Sequence, residues 1–104
     1  MKIEHLKLFE TLRNLKNKGY VALLSLMAED LTPNMQYENA QKTVKLIYTL
    51  YNPVNKGFEE IETTINSEIQ SISALYKSAK YDEMEIYGQF GINFKNHPNL
   101  QKIF

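Results

Sequence analysis

Phe58-Glu-Glu-Ile61-Glu-Thr-Thr-Ile65-Asn-Ser-Glu-Ile69-Gln-Ser-Ile72-Ser-Ala-Leu75-Tyr-Lys-Ser-Ala79 is the stretch on which the fold reading turns. Its apolar side chains Phe58, Ile61, Ile65, Ile69, Ile72, Leu75 and Ala79 step by 3, 4, 4, 3, 3 and 4 residues. That spacing lines one side of a helix and predicts the seam of a long bundle helix of about six turns. Glu59, Glu60 and Glu62 stand at its start, where acids complement the positive end of the peptide dipoles.

Working outward, the neighbouring segments read the same way. Tyr37, Ala40, Val44, Ile47, Tyr48 and Tyr51 form a second helical stripe. The run from Tyr20 to Leu31 is apolar nearly all round, as in a helix surrounded by others. Ile3, Leu6, Phe9, Leu12 and Leu15 recur every three residues in the first segment. Thr32-Pro33-Asn34, Asn52-Pro53 with Asn55-Lys56-Gly57, and Gly88 with Gly91 supply the turn signals. Gly19 is a weaker one that bends or ends a helix. The expected fold is all-α: an antiparallel four-helix bundle over 1–87 with an irregular C-terminal tail over 88–104, in one domain. Asp82-Glu-Met-Glu85 resembles a capping box, so either a short fifth helix runs from about Glu83 to Tyr87 or the fourth helix frays there.

Composition bounds the class. The chain of 104 residues is 43% hydrophobic and 23% charged, with twelve bases against twelve acids. Such a balance gives the whole chain no preference for nucleic acid. Lys2, Lys7, Arg13, Lys16 and Lys18 make the only basic stripe, in the first helix, and nucleic-acid binding there has no support from net charge. There is no cysteine, which excludes disulfides and thiolate metal sites. The apolar run at Tyr20–Ala28 is too short to span a bilayer, which needs about 20 residues, and the amphipathic segment before it is unlike a leader. The expected location is the cytoplasm.

No enzymatic motif is present, and the chain reads as a non-enzyme without cofactor or metal. His5 and His97 lie at opposite ends, with no metalloprotease spacing. Gly88-Gln-Phe-Gly91 is too short for a phosphate loop and lacks its lysine. Glu59, Glu60, Glu62 and Glu68 lack the Glu-x-x-His pairs of a carboxylate metal site. The seven tyrosines either rim the core or supply an interface.

The tail stands out because helical spacing does not explain its burial. It carries Phe90, Ile92, Phe94, Ile103 and Phe104 with Lys95 and Lys102 and no acid. Phe90, Ile92, Phe94, Lys95, His97, Lys102, Ile103 and Phe104 are therefore the candidate partner-binding set, with folding back onto the body as the rival reading.

Ile72-Ser-Ala-Leu-Tyr-Lys77, followed by a glycine-containing tail ending Lys102-Ile103-Phe104, resembles the end of the class II bacteriocin immunity proteins of the enterocin A and lactococcin A types. The resemblance implies a monomeric cytoplasmic protein that protects the producer cell. It would bind the mannose phosphotransferase permease with its bacteriocin from the cytoplasmic side, in peripheral contact with the inner face of the membrane. The alternative is a phage- or plasmid-encoded helical protein that binds a host protein or self-assembles.

Overall fold

The computed structural model describes residues 1–32 and 42–100. A 3-10 turn (His5–Lys7) leads into α1 (Leu8–Asn17), followed by β1 (Ala22–Asp30), β2 (Val44–Asn52) and β3 (Gly57–Ile65). Then come β4 (Glu68–Gln70), α2 (Ala79–Phe90) and β5 (Asn93–Lys95). The expected all-α four-helix bundle is wrong. Its second helix is β1, and its third is β2 where described. Its long fourth helix is β3, β4, a run of turns and the first residue of α2. Tyr37, Ala40 and Pro33-Asn34 lie outside the described residues.

β1, β2 and β3 form an antiparallel sheet in that order. Leu26 pairs with Tyr48 and Tyr48 with Ile61, so one row of side chains runs inward across all three strands. β2 explains both the sheet and the misreading. Val44, Leu46, Tyr48 and Leu50 are all fully buried. Lys45, Ile47, Thr49 and Tyr51 alternate with them on the opposite face. Because Ile47 and Tyr51 are also apolar, the period of two is disguised, and the steps between Val44, Ile47, Tyr48 and Tyr51 mimic a helix. In β3 the four-residue step from Ile61 to Ile65 suits either period, since four is even. Thr63 between them faces inward as well. The β-branched run Thr63-Thr64-Ile65 favours the strand, where branching at Cβ is accommodated.

Helices and β4–β5 cover the inner face. Leu8 and Leu12 of α1 and Ala79 and Ile86 of α2 join Ile69, Ile72, Ile92 and Phe94 in one core with the strand residues. Leu6, assigned to the first apolar stripe, is instead 80% exposed, because the burying face is set by Leu8 and Leu12. The Asn52-Pro53 signal does mark a reversal, but it joins two strands. Asn52 Oδ1 accepts from the amides of Val54 and Asn55, and Lys56 takes φ 64°. Gly88 lies inside α2, and the helix ends at Gly91, whose φ of 72° and amide to Tyr87 O at 2.9 Å close the last turn. The proposed fifth helix is part of α2, which starts at Ala79 with no side-chain cap, so Asp82 is an interior first-turn residue.

The tail is not irregular throughout. β5 pairs with β4 in parallel, Ile69 opposite Phe94. At the other end of the chain, Lys2 bridges Glu62, and the Ile3 amide donates to Glu62 O at 2.9 Å, extending the sheet beyond β3. β1 is the opposite edge, and its register with β2 slips at Leu24, a bulge between Leu23 and Ser25.

Gly19 ends α1 at φ 108°, a conformation that L side chains rarely adopt. A Cβ there would sit 2.6 Å from Asn52 Nδ2, which itself donates to Lys18 O at 3.3 Å. Gly19→Ala should destabilise the protein by about 1–3 kcal/mol in a urea titration; an unchanged midpoint would show that the loop relaxes freely.

Candidate interaction site

One face of the sheet is left uncovered by the described elements. It is built from the outward positions of the three strands: Met27, Ile47 and Glu62 in one cross-strand row, and Ala22, Tyr51 and Phe58 in another. Met27 is 59% exposed and Phe58 is 61% exposed. The Tyr51 and Phe58 rings are 4.9 Å apart, so this end carries an aromatic pair facing solvent. Between the apolar rows lie Ser25, Thr49 and Glu60. Beyond Met27 the Lys45–Glu29 ion pair, at 3.3 Å, closes the strip. A pocket of about 470 Å3, lined by residues including Lys2, Leu31, Lys45, Glu62 and Thr64, lies at that end. Large apolar side chains grouped on one open face, rimmed by charge, mark a surface suited to another macromolecule.

Behind the sheet a buried polar cluster sets the remaining elements. The Glu83 side chain is fully buried on α2. Its Oε1 accepts from Ser71 Oγ at 2.6 Å, and its Oε2 accepts from the Ile72 amide at 2.9 Å. Burial pushes this carboxyl up to about 7 against the opposing pull of those two donors, with Asp82 adding slightly to the rise. His97 Nε2 lies 3.8 Å from Glu83 Oε1. The Asn99 amide donates to His97 Nδ1 at 3.0 Å, so the ring proton is on Nε2, which donates to Lys80 O at 2.9 Å. Tyr48 is fully buried close by, and its hydroxyl has no partner among the described residues. Its phenol is pushed up by burial first and by the Glu83 charge second.

The candidate tail residues divide by burial. Ile92 and His97 are fully buried and Phe94 nearly so; Phe90 is half-buried and Lys95 is exposed, 4.0 Å from Glu68. Lys102, Ile103 and Phe104 lie outside the described residues. The structure brings Ile92, Phe94 and His97 together in the interior and leaves Phe90 and Lys95 at its surface. Sequence reasoning missed Met27, Ile47 and Phe58 as a shared face, because helical spacing assigned them to three different seams. It missed Glu83 and Ser71 altogether. An acid two residues from Tyr81 in a segment otherwise read as a helix cap offered no signal of burial.

A family model described as the respiratory-chain NADH dehydrogenase 30 Kd subunit matches residues 1–104. The chain is 32% identical over 98 residues to the C subunit of the NADH-quinone oxidoreductase of Citrifermentans bemidjiense, covering 85% of this chain and 61% of that protein. It is 32% identical over 85 residues to the J subunit of the chloroplast NAD(P)H-quinone oxidoreductase of Cicer arietinum, covering 82% and 54%. Thus it spans little more than half the length of these relatives. A solved structure described as a trypsin-resistant fragment of Nqo5 superposes with a TM-score of 0.72 at 20% identity, over 95% of this chain and 80% of that one. That likeness shows a shared fold.

These findings overturn the bacteriocin-immunity resemblance and, with it, the mannose phosphotransferase permease as partner and the phage- or plasmid-protein alternative. The six-residue Ile72–Lys77 match that carried the resemblance is a turn here and not the end of a helix. The expectations of a non-enzymatic protein and of a monomer also give way, since the relatives are by name subunits of oxidoreductases.

Glu83 yields a pH dependence whose sign follows from its environment. Its folded pKa of about 7 lies above the ordinary 4.5, so between those values the folded state holds a proton that the unfolded chain releases. The contribution of Glu83 to stability is fully present below pH 4.5 and is lost as pH rises through 7. The slope attributable to this one group reaches about 1.4 kcal/mol per pH unit. Denaturant titrations of wild type and Glu83→Gln across this range measure it: the difference between the two should change with pH, and a constant difference would refute the assignment.

Proposed function

Because the chain belongs to the respiratory-chain NADH dehydrogenase 30 Kd subunit family, we propose that it is a docking subunit of an NADH-quinone oxidoreductase complex. In this reading it packs against a neighbouring polypeptide through the open face of its sheet. The observation that carries the proposal is the pairing of Met27, Ile47, Tyr51 and Phe58 on a face that no described element covers. A side chain such as Met27 or Phe58 contributes about 1.5–3 kcal/mol when removed from water, so burying this strip against a partner supplies a large share of a stable interface.

The chain's own part is structural. It has no cysteine, and so provides no thiolate of the kind that holds iron–sulfur clusters. Its contribution to electron transfer is to hold neighbouring subunits in place. The tail set enters as a second, smaller contact through Phe90 and Lys95, with Ile92, Phe94 and His97 anchoring that segment from inside. In the same reading the chain sits outside the bilayer, on the cytoplasmic side of the complex. No helix among the described residues is long and apolar enough to cross a membrane.

A tagged chain produced in its own host should co-migrate on native gels with NADH-quinone reductase activity. Met27→Asp with Phe58→Asp should lower the incorporated fraction at least about tenfold, equivalent to about 1.4 kcal/mol, with unchanged circular dichroism of the isolated chain. Wild-type chain that migrates alone, or full incorporation of the double variant, would refute the docking face.

A further inference from the structure

A recess at the start of α2, lined by none of the residues of the open sheet face, carries a separate inference. It is an open hollow of about 350 Å3 between Ser73, Lys77, Lys80, Tyr81 and Pro98. Among the described residues neither lysine is in an ion pair; the lysine pairs there are Lys45 with Glu29 and Lys95 with Glu68. Lys80 Nζ lies 5.3 Å from the Tyr81 ring centroid, a contact that positions the ammonium without neutralising it. α2 starts at Ala79 without a side-chain cap, so the positive end of its dipoles adds to the same field.

The walls of the recess are tied to the buried cluster behind it. His97 links the Pro98 turn to the first turn of α2 through Lys80 O. The Ser73 amide donates to Ser71 Oγ at 3.1 Å, and Ser71 is held by Glu83. We propose that this recess binds an oxyanion, a sulfate- or phosphate-like group or a carboxylate, held by Lys77, Lys80 and the Ser73 hydroxyl. The site is independent of the docking face.

The same geometry couples the anion to a proton. Ser71 Oγ is 2.6 Å from Glu83 Oε1 and 3.0 Å from Ser73 Oγ, and a hydroxyl has one hydrogen to donate. With Glu83 ionised, Ser71 donates to the carboxylate and Ser73 turns its hydrogen inward to Ser71. With Glu83 protonated, the carboxyl donates to Ser71, Ser71 donates to Ser73, and the Ser73 hydrogen is released to the recess. The groups facing Glu83 are Tyr48 from β2, His97 from the turn after β5, Ser71 and Ile72 after β4, and Asp82 on its own helix. None of them interrupts the hydroxyl chain. An anion in the recess therefore favours the protonated carboxyl, and binding takes up a proton.

The test titrates the full chain with sodium sulfate and with tetraglutamate at low ionic strength, at pH 6 and pH 8, reading backbone amide shifts. Sulfate keeps its charge across that range, as does tetraglutamate once its amino terminus is acetylated, the form used here, so any pH dependence belongs to the protein. Saturable shifts should appear across 73–81 and 97–99, and Lys77→Ala with Lys80→Ala should weaken binding at least about tenfold. Wild type should bind several-fold more tightly at pH 6. Ser73→Ala, which keeps the amide bond to Ser71 and whose fold circular dichroism checks, should erase that ratio, as should Glu83→Gln. Tighter binding of tetraglutamate assigns the site to an acidic side chain of a partner, and tighter binding of sulfate assigns it to a free anion. No saturable shift with either probe, or wild-type affinity in the double lysine variant, overturns the site. A pH ratio that survives in Ser73→Ala overturns the coupling.

Discussion

A carboxyl group placed in an apolar interior without a cation must be met by hydrogen-bond donors or it will not stay there, and Glu83 meets that demand with one hydroxyl and one amide. Those donors come from Ser71 and Ile72, while the carboxyl comes from α2, so the bond pair fixes the helix against the segment that leaves β4. Everything downstream inherits that position. Once α2 ends at Gly91, the chain is delivered alongside β4, where Phe94 can face Ile69. His97 then arrives beside Lys80 with both ring nitrogens engaged. The Tyr48 hydroxyl in the same interior has no partner among the described residues, and its ring packs into the core.

The sheet in front of this cluster is asymmetric. Its inner side closes over the helices, and its outer side ends in Met27, Ile47, Tyr51 and Phe58. An isolated three-stranded sheet covered on one side is stable when its other face is polar, and this one is only partly so. In the docking reading proposed above, a neighbouring polypeptide covers that apolar strip.

How much of this was legible in the sequence depended on which face of each element was apolar. α1 was readable because a surface helix has one apolar side, although Leu6 was placed on it and Leu8 was not. The turn at Asn52-Pro53 was readable because asparagine and proline act locally. The strands were not, because β2 carries Ile47 and Tyr51 on its outer face and β3 places Thr63 inward. The alternation that identifies a half-buried strand was therefore blurred in both. The discriminating signal was composition, the β-branched Val44, Ile47, Thr49, Ile61, Thr63, Thr64 and Ile65. The burial of Ile92 and Phe94 answers the tail's surplus of apolar surface, which was visible from the start. The Glu83 cluster depends on contacts between residues 12 positions apart in sequence across a turn, which no spacing rule encodes.

The bulge at Leu24 bears on how such a protein avoids unwanted company. β1 is nine residues long and forms the sheet's edge, a row of main-chain groups open to pairing with any other extended chain. Slipping the register between Leu23 and Ser25 twists that edge, and Glu29 and Asp30 charge its end, so a stray strand cannot run along it without interruption. Aggregation by strand addition is thereby discouraged without any loss of the neighbouring apolar face. A single inserted residue thus interrupts the edge while the outer face of the sheet keeps its apolar rows.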